Sequence, residues 1–258
     1  MATLAAAPGG VQARGDRFFI LSAILMALVM VAGFSFQLAM GRSSFNAAPL
    51  THAHGIVFFG WVVLFVVQTM LGTTGALRLH RTLGWIAAGW MVAMVILGIA
   101  ITVARTRAGT VPFFFTPQYF LIANPMTVLG FAGLTIAAIV NRRRPEWHKR
   151  LHLCGMAMLL GPGFGRLLPL PFMIPWAFES AYVVGLVFPI AGMIADLRRS
   201  GRVHPAWWWG MAALVGTMLA WEVIAYSTIG DAIHAAVTAG TPGAAIAPLD
   251  YPPFPPMA

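Results

Sequence analysis

Charge is scarce in this chain of 258 residues. Asp, Glu, Lys and Arg make up 9% of it and the apolar set AVILMFWYC 59%, against roughly 25% and about 45–50% in a soluble domain. In water such a composition would leave large apolar patches exposed, and a core of this size cannot hide so much apolar side chain. The expected solvent is therefore lipid, around one bilayer-embedded domain. Cysteine is nearly absent: the single Cys154 excludes a disulfide framework and a cysteine-ligated zinc or iron–sulfur site within one chain, and its apolar surroundings suggest a small buried residue. The sequence has no phosphate-binding glycine loop, no nucleophile elbow, no HExxH and no lysine in an apolar run that could carry a Schiff base. Its seven histidines, split between two membrane faces, cannot supply an eight-histidine di-iron cluster.

What is present is a series of long charge-free runs. A helix rising about 1.5 Å per residue needs roughly 20 apolar residues to cross a hydrocarbon core of about 30 Å. Runs of that kind predict seven transmembrane helices near Phe18 to Met40, His52 to Gly75, Leu83 to Ala104, Gln118 to Val140, Leu151 to Phe172, Ala177 to Leu197 and Trp207 to Ser227. The first run is too long for a signal peptide and lacks a small-residue cleavage site, so it reads as an anchor. Residues 1–17 then form an N-terminal segment, 18–227 the seven-helix domain and 228–258 a tail. After Gly240 that tail carries Pro242, Pro248, Pro252, Pro253, Pro255 and Pro256, which predicts an extended arm able to lie on a neighbour.

The formal charge of +9 sits in short clusters between the apolar runs, which carries topology and gives no nucleic-acid footprint. Arg14, Arg17, Arg78, Arg81, Arg142, Arg143, Arg144, Lys149, Arg150, Arg198, Arg199 and Arg202 fall in one set of alternate loops, and Arg42, Arg105 and Arg107 in the other. Basic residues are retained on the cytoplasmic side, so the N-terminus is expected inside, the C-terminus outside, and the protein in the bacterial inner membrane. The basic loops should meet anionic lipid headgroups. Trp147, Trp176, Trp207, Trp208 and Trp209 lie at span ends and read as interfacial anchors.

Ionisable groups inside a span are costly unless paired or facing a cavity, which makes them site candidates. Arg166, Glu222 and Asn124 fall at one depth outward of the centre of their spans. Glu179 joins them, since it and Arg166 are equidistant from a turn near Phe172 and Met173. An Arg166–Glu179 or Arg166–Glu222 ion pair is expected, with Gln118 and Tyr226 completing a polar lining for a ligand. The run Gly161-Pro162-Gly163-Phe164-Gly165-Arg166, followed by Pro169, Pro171 and Pro175, should break the fifth helix, and broken helices often line binding sites. The competing readings are a purely structural ion pair and a glycine-rich helix contact.

His52 and His54 begin the second span on the outer side, and His80, His148 and His152 stand at the cytoplasmic side. His148 and His152 have the i, i+4 spacing that lets two imidazoles share a metal or one reach a haem. Arg142, Arg143, Arg144, Lys149 and Arg150 around them would repel a dication and attract lipid phosphate.

The pattern His52-Ala53-His54-Gly55, Trp61, Gln68, His80-Arg81-Thr82-Leu83-Gly84 and Trp147-His148-Lys149-Arg150-Leu151 resembles a group of uncharacterised bacterial multi-pass membrane proteins, which implies a topology and no reaction. It is also similar to cytochrome b561-type bundles, in which histidines of adjacent helices bind haem. That resemblance implies haem b, with His52, His54, His80 and His152 as cofactor ligands. His80 and His148 are expected in loops, whereas haem ligands of that family sit a turn or more inside the membrane. Three functions follow as expectations: a haem-binding redox or cofactor protein, a binder or transporter of a small anion held by Arg166, and an accessory subunit of a membrane complex docked through its tail.

Overall fold

The computed structural model describes residues 9–43 and 45–254, with side chains from Arg17 onward. Of the N-terminal segment, residues 1–8 and the side chain of Arg14 lie outside the described set, as do Pro255 and Pro256 of the tail. All regular structure among the described residues is helical: α1 (Gly9–Ala39), α2 (Pro49–Thr74), α3 (Leu77–Arg107), α4 (Pro117–Val140), α5 (Pro145–Met158), α6 (Gly161–Leu167), α7 (Ala177–Val183), α8 (Val187–Ser200), α9 (Pro205–Ala225) and α10 (Thr228–Thr238), with short 3-10 turns between some of them.

Among the described residues six stretches are long and apolar enough to cross a membrane: Arg17–Ala39, Pro49–Thr74, Leu77–Arg107, Pro117–Val140, Ala177–Ser200 and Pro205–Ala225. Large apolar side chains on their outer faces, among them Leu21, Leu28, Ile56, Val63, Ile96 and Val223, are exposed, as a lipid-facing surface requires. The chain is a multi-pass, all-helical membrane protein.

Consecutive helices pack side by side, so the connections alternate between two ends of the bundle. One end carries the turns around residues 75–76, 141–144 and 201–204 and is called the basic end below. The far end carries 40–48, 108–116, 168–176 and everything after Ala225.

The expected fifth span is two pieces, α5 and α6, and neither alone is long enough to cross. The break follows from one residue. Pro162 has no N–H for the carbonyl of Met158, and its ring crowds that carbonyl. α5 accordingly ends at Met158, and the chain turns through Leu159 and Leu160 before α6 begins. The next crossing repeats the device. Pro189 deprives Gly185 of its helical donor, and a 3-10 turn at Val184–Leu186 separates α7 from α8. The two breaks touch: a Cβ on Gly185 would stand 2.7 Å from the carbonyl oxygen of Ala157 and 3.7 Å from Leu160 Cβ. Glycine is required there because two irregular backbones meet.

Several expectations need correction. α3 begins at Leu77 and α5 at Pro145, so His80 and His148 are helical and not in loops. A charge-free run marks only the hydrocarbon part of a helix, whereas the first turns can continue among polar headgroups. Trp207 is no interfacial anchor. Its ring is fully buried against Phe19 at 6.2 Å between centroids and lies against Gly192, whereas Trp208 and Trp209 are exposed. The tail is not an extended arm: α10 follows Ser227, and a 3-10 turn at Pro242–Ala245 packs on α3 and α10. Gln118 N donates to Pro248 O at 2.8 Å, and Phe254 meets Phe113 at 4.1 Å. Cys154 is buried against Gly210.

Candidate functional site

Among the described residues two polar networks are set into the bundle, one at each end. At the basic end the guanidinium of Arg150 on α5 grips Asp196 on α8 with two parallel bonds, Nε to Oδ2 at 2.9 Å and an Nη to Oδ1 at 2.8 Å. Both residues are nearly inaccessible, 4% and 3% exposed. Asp196 also accepts from the Trp207 indole at 2.9 Å and from Arg199 at 2.6 Å. Arg150 reaches back to the carbonyl and carboxylate of Glu146, which in turn pairs with Lys149 at 2.7 Å. Acids and bases alternate, the lone pairs of Asp196 are well used, and three helices, α5, α8 and α9, are tied together. Such a network holds a fold.

The far-end network is built differently. Tyr119, in the first turn of α4, places its hydroxyl between Oε1 of Glu179 on α7 and Oε1 of Glu222 on α9. The Trp221 indole donates to the same hydroxyl at 2.7 Å and to Glu222 at 3.2 Å. The cluster is walled by rings: Phe178 and Tyr226 each lie 5.7 Å from Tyr119, and Phe178 and Tyr182 lie 5.4 and 4.7 Å from Trp221. Tyr119 is 4% exposed and Trp221 fully buried, and Glu179 Oε2 is buried without a partner. Among the described residues no cation touches either carboxyl group.

A count of hydrogens constrains this arrangement. A phenol has one hydrogen to give, and an indole N–H can only donate. The Tyr119 oxygen therefore accepts from Trp221 and donates to one glutamate. Its contact with the other glutamate needs a hydrogen that only a protonated carboxyl can supply. A proton kept on either glutamate would supply that hydrogen.

The residues singled out as ligand-binding candidates fall into three places. Glu179, Glu222 and Tyr226 converge on Tyr119. Gln118 sits beside them but clamps the tail, its amide donating to Ala225 O at 2.7 Å and to Asp231 at 2.8 Å. Asn124 bonds back to Phe120 O on its own helix. Arg166 makes neither expected ion pair: its guanidinium stacks on Phe34 at 3.8 Å and donates to Pro162 O at 2.8 Å. The hairpin argument fails because α6 stops at Leu167 and a 3-10 turn at Leu170–Met173 intervenes before α7, so the register of two straight helices does not apply. Tyr119 and Trp221 were missed because neutral aromatics do not stand out in an apolar run. The available signal was their adjacency to Gln118 and Glu222.

The histidines do not form one cofactor set. His52 and His54 are at the far end of α2, and His80 meets Gln68, fourteen residues further along that helix, roughly 20 Å away at 1.5 Å per residue. His80, His148 and His152 do gather at the basic end. His80 Nδ1 faces the carbonyl of Gln68 at 3.2 Å and His148 Nδ1 that of Ala138 at 2.8 Å. The rings pack edge-on, 6.0 Å apart for His80 and His148 and 4.6 Å for His148 and His152, both within the range of direct ring contact. The three rings form one contact cluster in which Nδ1 of His80 and of His148 faces a backbone carbonyl. Among the described residues no three His, Cys, Asp or Glu are arranged to hold a metal ion. An open apolar groove of about 400 Å³ between α4 and α9, lined by Met126, Leu129, Gly130, Ala213, Gly216 and Thr217 among others, includes none of these titratable groups.

No family model, curated protein or solved structure matches the chain. Fold and site alone therefore define its class: a lipid-embedded helical bundle with a half-buried carboxyl pair at one end.

Proposed function

We propose that this chain is a seven-crossing protein of the bacterial inner membrane, with its N-terminus cytoplasmic, that binds or carries a small molecule in step with a proton. α5 and α6 together make the seventh crossing. The proton rests on Glu179 and Glu222. The observation that carries this reading is the Tyr119 hydroxyl between two carboxyl groups, a geometry that a retained proton would satisfy. Paired acids are functional by default at membrane depth, and the abutting breaks at Leu159–Leu160 and Val184–Leu186 supply irregular backbone of the kind found where crossings move or line sites. In this reading Tyr119 orients the pair, Trp221 fixes the phenol, and Glu179 Oε2 is the open acceptor.

The test is proton movement in liposomes holding the purified protein and a trapped pH dye, challenged with a panel of small carboxylates, phosphate and amines. At least one compound should drive proton movement with the wild type, and Glu222→Gln should abolish it. If no compound moves protons above empty liposomes, or Glu222→Gln and Glu179→Gln match the wild type throughout, the reading is wrong.

A further inference from the structure

Arg166 is left over by everything above. It lies in a lipid-embedded bundle, yet no described carboxylate pairs with it, and Glu179 and Glu222 are both engaged by Tyr119. Its guanidinium has five donors in a fixed fork, of which one is used by Pro162 O at 2.8 Å, while one face rests on Phe34 at 3.8 Å. Its position is fixed from behind, since Gln37 Nε2 on α1 donates to the Arg166 carbonyl at 3.1 Å. A Cβ on Gly33 would also stand 2.4 Å from the carbonyl oxygen of Gly163, so α1 and α6 are in backbone contact beside it.

The neighbours of Arg166 are not acids. Arg105, exposed in the last turn of α3, and His54, near the start of α2, lie at the same end of the bundle as Arg166 in the last turn of α6. His54 stacks on Phe58 at 4.1 Å, and its Nδ1 is buried without a partner. Two arginines and a half-buried imidazole thus share one end of α1, α2, α3 and α6. Like charges gathered without a counter-ion repel, and an anion between them removes the repulsion. Phe34 stands five residues before the end of α1 at Ala39, about 7.5 Å at 1.5 Å per residue. That depth is within reach of the headgroup layer.

We propose that Arg166, with Arg105 and His54 beside it, is a binding site for a phosphate-type oxyanion. Arg166 supplies the paired N–H donors, Arg105 adds charge from the rim and the His54 ring borders the site from α2. The anion comes from the headgroup of an anionic phospholipid or from a free phosphate. The site does not depend on the carboxyl pair, whose proton can be absent with this site intact.

The experiment uses the full chain purified in dodecyl maltoside. Thermal unfolding is followed while inorganic phosphate is added, with chloride at equal ionic strength as control. A parallel series uses short-chain phosphatidylglycerol, with diacylglycerol as control. Wild type is compared with Arg166→Gln, Arg166→Lys and Arg105→Gln. A saturable rise in unfolding temperature is expected in at least one series, with half-saturation about tenfold weaker in Arg166→Gln and less affected in Arg166→Lys, as loss of one charge-assisted contact implies. A rise with phosphatidylglycerol alone assigns the site to a headgroup, and a rise with both probes to a free oxyanion. If Arg166→Gln does not fold, the other two variants decide. The proposal is overturned if neither probe exceeds its control, or if all folded variants respond as the wild type does.

Discussion

At the basic end, two arginines and an indole surround one aspartate; at the far end, two glutamates crowd one tyrosine. Both networks reach into the bundle interior, both join three crossings, and both include a tryptophan whose N–H meets a carboxyl oxygen: Trp207 at Asp196 and Trp221 at Glu222. They differ in balance. Every charge of the Arg150–Asp196 group faces an opposite one, so the group gains by staying as it is. The Glu179–Tyr119–Glu222 group has an excess of acid and an unpartnered oxygen, so it gains by taking up a proton or a ligand. Burial alone does not mark a functional site in this molecule. An unbalanced buried group does.

The comparison can be broken from either side. The largest effect should come from Asp196→Leu, which strands the Arg150 guanidinium and should lower stability by about 3–5 kcal/mol. The double variant Arg150→Met with Asp196→Leu should recover most of that loss in denaturant unfolding. Tyr119→Phe should cost about 1–3 kcal/mol, since it removes a partner from both glutamates and from Trp221. Glu222→Gln should change stability by less than about 1 kcal/mol in either direction, because an amide can donate to the Tyr119 oxygen where a carboxyl proton did. An equal cost for Asp196→Leu and Glu222→Gln would erase the distinction between scaffold and site.

The smallest expected effect concerns α10, which covers the far-end network. His234 is buried with Nε2 unpartnered, and that burial holds its pKa below the ordinary histidine value despite Asp231 nearby. The docked helix therefore favours neutral imidazole, and the undocked one takes up a proton near the usual value of about 6.5. Docking should be strongest above that pH and weaken as pH falls through it toward the lowered value. Hydrogen exchange across 228–238 should rise on acidification, and His234→Asn should remove the pH dependence. Arg107, which donates to Val237 O at 3.0 Å, should hold the helix C-terminus in place.

Much of the fold was legible because hydrocarbon imposes a length and a purity on each crossing. The Gly161–Arg166 run with its proline signalled the break in the fifth. What the runs could not mark was the polar extension of helices beyond the hydrocarbon, which moved His80 and His148 out of loops. The interruption before Pro189 was equally visible in principle, since the same missing donor acts there, but one proline in an apolar run draws less notice than four. The site was legible in part. Charges pointed to Glu179, Glu222 and Arg166, while their pairing depended on a turn whose 3-10 geometry no spacing rule supplies. Tyr119 was silent because its role comes from one oxygen atom.

The shared proton is the central claim, and infrared spectroscopy of the purified protein in buffered D₂O and H₂O tests it most directly. At neutral pH the account predicts a protonated-carboxyl C=O stretch that shifts on deuteration and disappears in both Glu179→Gln and Glu222→Gln, since either amide frees the remaining glutamate to ionise beside Tyr119. Absence of that band in the wild type, or its persistence in both single variants, would contradict the account.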